Sequence, residues 1–125
     1  MTKIIYSADC GNSPKTLFLK DFNAALARGN QAAVLKRLAD DIDWDWVGGA
    51  RFQGREAVAS MLRRMRREPP QELVMEHIIT HGDAGAVNGT LRLTNGRSYG
   101  FCHVFQFRGA RGTLIRGITS YEIRR

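Results

Sequence analysis

Three histidines, two cysteines and a few carboxylates are the side chains of this chain with chemistry near neutral pH. His103 stands out among them. Phe101 and Phe105 flank it at two-residue spacing, so on a strand an imidazole shares an aromatic wall. A histidine so placed can act as a general acid or base without further tuning. Asp45, between Trp44 and Trp46, is a candidate general base. His77 and Asn88 are candidates for holding a ligand or orienting His103. Cys10 precedes Gly11 and Asn12 and is a candidate nucleophile, but no base lies beside it in sequence. His77 and His81 have the i, i+4 spacing that binds zinc on a helix. On a strand that spacing spans roughly 13 Å, so they cannot share an ion. Neither a metal nor a cofactor is implied.

These side chains depend on the elements that carry them. Ser13 is a helix N-cap with Pro14 at the first helical position, and Leu17, Phe18, Phe22, Ala25 and Leu26 form an apolar stripe. Gly29 suits the residue after the helix, and Asn30 caps a second short helix carrying Val34, Leu35 and Leu38. Ile42 to Val47 alternates as a strand. A third helix starts near Arg55, with Val58, Met61, Leu62 and Met65 on one face, and Pro69-Pro70 ends it. Turns at 81–84, 94–97 (containing Asn95-Gly96) and 108–113 divide the rest into a meander of four long strands. The expected plan is α+β, with three N-terminal helices packed on a curved, mainly antiparallel sheet in one domain covering 1–125.

Closing those turns at 81/84, 94/97 and 108/113 sets His77 opposite Asn88, Asn88 opposite His103 and His103 opposite Ile118. These four share one face, about 5 Å apart from strand to strand. The same face carries Met75, Tyr99, Phe101, Phe105 and Arg116. The other carries Val74, Ile78, Val87, Leu91, Leu93, Val104, Ile115 and Tyr121, and is nearly all apolar. Three helices cover only one face of such a sheet. They are expected to roof the mixed face and leave a cavity, and the apolar outer face is expected to form a homodimer. Trp44, Trp46, Phe22, Tyr99, Phe101 and Ile118 would wall the cavity, and Arg116 would anchor a ligand there.

Composition narrows the partners. No apolar run is long enough to cross a bilayer, and the N-terminus lacks the apolar core of a secretory signal. Two cysteines without ligand spacing read as free thiols in a reducing cytoplasm. The net charge is +7. Its excess lies after Leu62, with 11 basic residues against 5 acidic, and its one dense run is Arg63-Arg64-Met65-Arg66-Arg67. A cation-rich last helical turn complements the helix dipole, so nucleic-acid binding is not the leading expectation.

The helix Phe22-Asn23-Ala24-Ala25-Leu26-Ala27-Arg28-Gly29-Asn30, the stretch Ala39-Asp40-Asp41-Ile42-Asp43-Trp44, and Gly54-Arg55-Glu56-Ala57-Val58 together resemble the nuclear-transport-factor-2-like superfamily. Cys102-His103-Val104-Phe105-Gln106-Phe107 and Ile118-Thr119-Ser120-Tyr121-Glu122 complete the resemblance. That superfamily includes ketosteroid isomerases, SnoaL-like polyketide cyclases and limonene epoxide hydrolase. Tyr6 to Asn12, with Ile79 to Gly82 and Ala86 to Gly89, is similar to an uncharacterised bacterial subgroup. The resemblance implies a cone-shaped fold with a cavity. It also places Phe22 where the isomerases have an oxyanion-hole tyrosine. Trp46, or Asp45 after a one-residue slip, falls where they have the general base, and His103 where they have a second oxyanion donor. A classical steroid isomerase is therefore not expected. The leading expectation is a domain that binds a small, apolar or weakly polar molecule, with His103 doing any proton transfer of an isomerase, cyclase or dehydratase type. A binding or dimeric interaction module without turnover is the alternative. A basic-patch nucleic-acid binder using residues 63–67 is the third, to be tested by heparin retention.

Overall fold

The Ser13 hydroxyl accepts a hydrogen bond from the Thr16 backbone N–H, and Pro14 follows it, so the first long helix begins there: α1 runs Pro14–Arg28. Gly29 ends it in the left-handed region at φ 73°. Asn30 caps α2, Gln31–Leu35, through a bond from Ala33 N–H to its side-chain oxygen. A third helix, α3, spans Arg55–Arg64. Its first residue reaches back to the Leu35 and Leu38 carbonyls and ties α3 to the end of α2. The computed structural model describes residues 1–65, 68–109 and 113–125. Arg66 and Arg67 of the arginine run, and residues 110–112 of the last connection, lie outside the described residues; Arg63 and Arg64 form the last turn of α3.

Among the described residues the sheet has seven strands: β1 Lys3–Tyr6, β2 Leu38–Trp46, β3 Arg51–Gln53, β4 Glu72–His81, β5 Ala84–Arg92, β6 Ser98–Phe107 and β7 Ile115–Arg124. Their order is β1-β4-β5-β6-β7-β2-β3. The expected meander is β4 to β7. The chain extends it at both ends, with β1 parallel to β4 and β2 parallel to β7. The fold is thus an α+β cone, three helices on a mainly antiparallel sheet. The four-strand meander understated the sheet because β1 and β3 are too short to show alternation.

Three registers decide which side chains meet. The turn at 81–84 closes as expected, and His77 pairs with Asn88. The Asn95-Gly96 turn does not. Leu93 N–H bonds Arg97 O at 2.8 Å, so the loop has three residues, with Gly96 in the left-handed region at φ 87°. This moves β5 one residue against β6: Val87, not Asn88, faces His103. The β6–β7 register moves by two, which keeps the face but changes the partner. His103 faces Ser120, not Ile118.

Two bulges complete the curvature. Glu76 is skipped where β4 pairs with β5, and Arg116 where β7 pairs with β6. Beside the first bulge β4 comes so close that a Cβ on Gly89 would lie 1.8 Å from the Val74 carbonyl oxygen, so only glycine fits. The helices cover the inner face. Leu19 and Phe22 of α1 and Val58 of α3 pack there with Trp44, Met75, Phe105 and Ile118, all almost fully buried. Phe22 meets Phe105 edge-on, with ring centroids 5.6 Å apart.

Candidate ligand cavity

The inner face holds a transverse row of five side chains: Trp46 of β2, Ser120 of β7, His103 of β6, Val87 of β5 and Ile78 of β4. Toward the ends of β5, β6 and β7 the face opens into a cavity of about 280 Å³. Its floor is His103, Phe101, Tyr99, Leu91 and Trp46 from the sheet. Its wall comes from Asn23, Leu26 and Ala27 of α1 and Leu62 of α3, and Pro69-Pro70 closes one side. Among the described residues, Arg28, Glu68 and Glu122 supply the charged groups of the lining. An apolar lining with few polar groups is the usual make-up of a small-molecule site.

Ser120 is fully buried and sits between two rings. The indole N–H of Trp44 donates to its Oγ at 2.8 Å, and His103 Nδ1 lies 2.6 Å from the same oxygen. An indole nitrogen only donates, so Ser120 accepts from Trp44 and its hydroxyl proton needs an acceptor. His103 Nδ1 is the acceptor within reach. The opposite arrangement, with Nδ1–H donating to Ser120, would strand that hydroxyl proton at a cost of about 1–3 kcal/mol. Ser120 therefore fixes the tautomer with the ring proton on Nε2. His103 lines the cavity with Nδ1 committed, so Nε2–H is the group it offers a ligand. Burial pushes its pKa down to about 4, so the ring is neutral at pH 7. A neutral imidazole bearing Nε2–H is a hydrogen-bond donor toward an oxygen, not a base.

Trp46 stacks on Trp44 with centroids 5.5 Å apart and meets His103 edge-on at 5.9 Å. Its Nε1–H is buried and has no partner among the described residues. A donor left in that state costs about 1–3 kcal/mol.

The structure separates the residues singled out in the sequence. His103, Trp46, Tyr99 and Phe101 line the cavity. Phe22, Trp44 and Ile118 are core beneath it. His77 and Asn88 do pair, Nδ1 to Oδ1 at 2.9 Å, but on the outer face, because the one-residue slip of β5 turns them away from His103. Asp45 alternates with Trp44 and Trp46 and so points away from the cavity. It cannot serve there as a base. Its strand neighbour Asp43 is held below the usual carboxylate range by a hydrogen bond from Arg51 at 2.6 Å. Arg116 is the bulged residue of β7 and is exposed, so it anchors nothing in the cavity. Cys102 is on the outer face, its thiol pushed up by burial and away from thiolate reactivity. Among the described residues no three His, Cys, Asp or Glu side chains gather as a metal site.

Ser120, Glu122 and Asn23 were missed as site residues. Ser120 and Glu122 follow Ile118 at two-residue spacing, so alternation alone puts them on its face. Glu122 pairs with Phe101, diagonal to His103. Asn23 is buried on α1, and its Nδ2 donates to the Leu19 carbonyl at 2.8 Å.

A helical layer over a cavity on a curved sheet, with the neutral His103 ring in its floor, defines an α+β cone. The family model described as the SnoaL-like domain matches residues 19–121, and the chain belongs to that family. No curated protein matches it. Solved structures share the fold. An NTF-2 like protein of unknown function from Burkholderia xenovorans LB400 superposes with a TM-score of 0.72 at 21% identity, covering 86% of this chain and 80% of that one. A putative ketosteroid isomerase from Kribbella flavida DSM 17836 gives 0.70 at 15% identity, covering 85% and 75%. An LEH-like epoxide hydrolase of M. tuberculosis gives 0.66 at 23% identity, covering 85% and 80%. No helix among the described residues is long and apolar enough to cross a membrane.

Proposed function

We propose that the cavity binds a small, largely apolar molecule and seats one acceptor group of it on Nε2–H of His103. The observation that carries this reading is Ser120 held between Trp44 and His103, which presents a neutral donor to an apolar cavity. Family membership supports it, as do two structures of this fold whose descriptions read putative ketosteroid isomerase and LEH-like epoxide hydrolase. Where turnover occurs, it is proton transfer in which His103 stabilises a developing negative oxygen and Glu122, the sheet carboxylate in the lining, takes the proton. The test is an NMR screen of small ring compounds that follows the His103 ring nitrogens. Binders carrying an acceptor shift Nε2, and His103→Phe weakens them about tenfold. A panel in which no compound moves those nitrogens refutes the reading.

Ile78, Val87, Leu91, Leu93 and Ile115, expected on the outer face, lie on the inner side instead, so the outer face is less apolar than expected. The apolar residues it still exposes support a homodimer. Val104 and Tyr121 are exposed there at 42% and 43%, with Ile79 and Ile123 near the edges. Sedimentation should give a dimer that Tyr121→Lys dissociates; a monomeric wild type rejects it. Free Cys10 and Cys102 fit a reducing, cytoplasmic setting.

A further inference from the structure

Asn23 puts a polar group on the stripe of α1 that faces the cavity. Asn23, Leu26 and Ala27, at i, i+3 and i+4, all line it. The Asn23 Nδ2 lies 2.8 Å from the Leu19 carbonyl oxygen. A carbonyl only accepts, so the amide is fixed with Nδ2 toward the helix and Oδ1 turned away from it. That Oδ1 accepts no hydrogen bond among the described residues, yet unlike Trp46 Nε1 it keeps accessible surface. The residue as a whole is only 3% exposed and stands in the cavity wall, so the surface it keeps faces the cavity. Folding does not call for this group: asparagine is a poor residue for a helix interior, and a leucine has nearly the same outline.

We infer that Asn23 Oδ1 is the helix-side acceptor for a ligand hydroxyl, and that the cavity therefore takes a ring-sized hydroxy compound in preference to the same skeleton without that proton. This rests on the ligand-cavity reading, in which His103 on the sheet side offers Nε2–H to an acceptor of the same ligand. The helix and the sheet thus ask for opposite chemistry, a donor at one place on the ligand and an acceptor at another. A ligand that fills the cavity without a donor strips water from Oδ1 and leaves it unpaired, which is how a site built to bond a hydroxyl rejects the analogue lacking it. Size narrows the class further. A cavity of ~150 Å³ takes benzene, and this one is about 280 Å³, the size of two fused rings with a hydroxyl.

The probes are 1-tetralone, its 5-, 6- and 7-hydroxy derivatives, and their methyl ethers, which keep the oxygen and lose its proton. Titration calorimetry on the full chain should show one hydroxy isomer binding about threefold to tenfold tighter than both its own methyl ether and 1-tetralone. Asn23→Leu should erase that margin by weakening the hydroxy isomer and leave 1-tetralone within about twofold. In the wild type the side-chain amide cross-peaks of Asn23 should move further with the hydroxy isomer than with 1-tetralone. That readout decides the matter alone if the variant does not fold. Equal affinity for 1-tetralone and every hydroxy isomer, stationary Asn23 peaks with a hydroxy isomer bound, or a variant that keeps the margin overturns the role of Asn23. The cavity reading then stands as long as 1-tetralone moves the His103 ring nitrogens. If neither 1-tetralone nor any hydroxy isomer binds the wild type, both readings fall.

Discussion

The neutrality of His103 can be tested through stability before any ligand is known. Its folded-state pKa is about 4 against an ordinary value of 6.5. Above pH 6.5 the ring is neutral in both the folded and the unfolded chain, and its contribution is constant. Between 6.5 and 4 the unfolded chain takes up a proton that the folded chain refuses, so stability falls as the pH is lowered through that window. Below 4 both states are charged and the loss is complete. At 1.36 kcal/mol per pH unit the full loss is about 3 kcal/mol, a large part of the 5–15 kcal/mol that holds a typical domain together. The control is His103→Asn, whose side-chain oxygen can still accept from Ser120 but which does not titrate. Urea unfolding from pH 7.5 to 4.5 should show the wild type losing more stability than the variant, the excess approaching about 3 kcal/mol at the acid end. The two proteins differ only at this position, so contributions from the rest of the chain cancel in the difference. Equal losses, or an NMR titration that places His103 near 6.5, would refute the argument.

Three further outcomes follow from the same geometry. Ser120→Ala strands the buried Trp44 indole N–H and releases the His103 tautomer; it should cost about 2–3 kcal/mol in urea unfolding, and the ring nitrogens should report a mixed tautomer. Gly89→Ala drives a methyl into the Val74 carbonyl, and should either remove more than ~3 kcal/mol of stability or abolish folding, as read by circular dichroism melts. Asp45→Asn should leave ligand affinity and any turnover unchanged, because the side chain lies on the opposite face of β2; a large loss of activity would restore Asp45 as a base.

How much could be read in advance depended on whether a feature belonged to one segment or to a pair of them. The helix ends could be read because each carries its own chemical mark: Ser13-Pro14, Gly29 and Asn30 act on their own backbone. The inward direction of His103 could be read for the same reason. Phe101, His103, Phe105 and Phe107 alternate on a single strand, and no choice of partner register changes which way they point relative to one another. The neighbours of His103 are a property of pairs. Asn95-Gly96 serves a two-residue or a three-residue loop, and the difference of one residue exchanges Asn88 for Val87 beside it. The bulges at Glu76 and Arg116 carry no mark in the sequence, yet the second of them removes Arg116 from the cavity. The chemistry of the site was the least legible part, because the state of an imidazole is set by what touches its other nitrogen. With Ile118 opposite, His103 would carry its proton on either nitrogen and could act as a base. With Ser120 opposite and Trp44 behind it, the proton is held on Nε2 and the same residue becomes a donor. A two-residue register change that leaves every side chain on its expected face is therefore enough to reverse the role of the residue at the centre of the site.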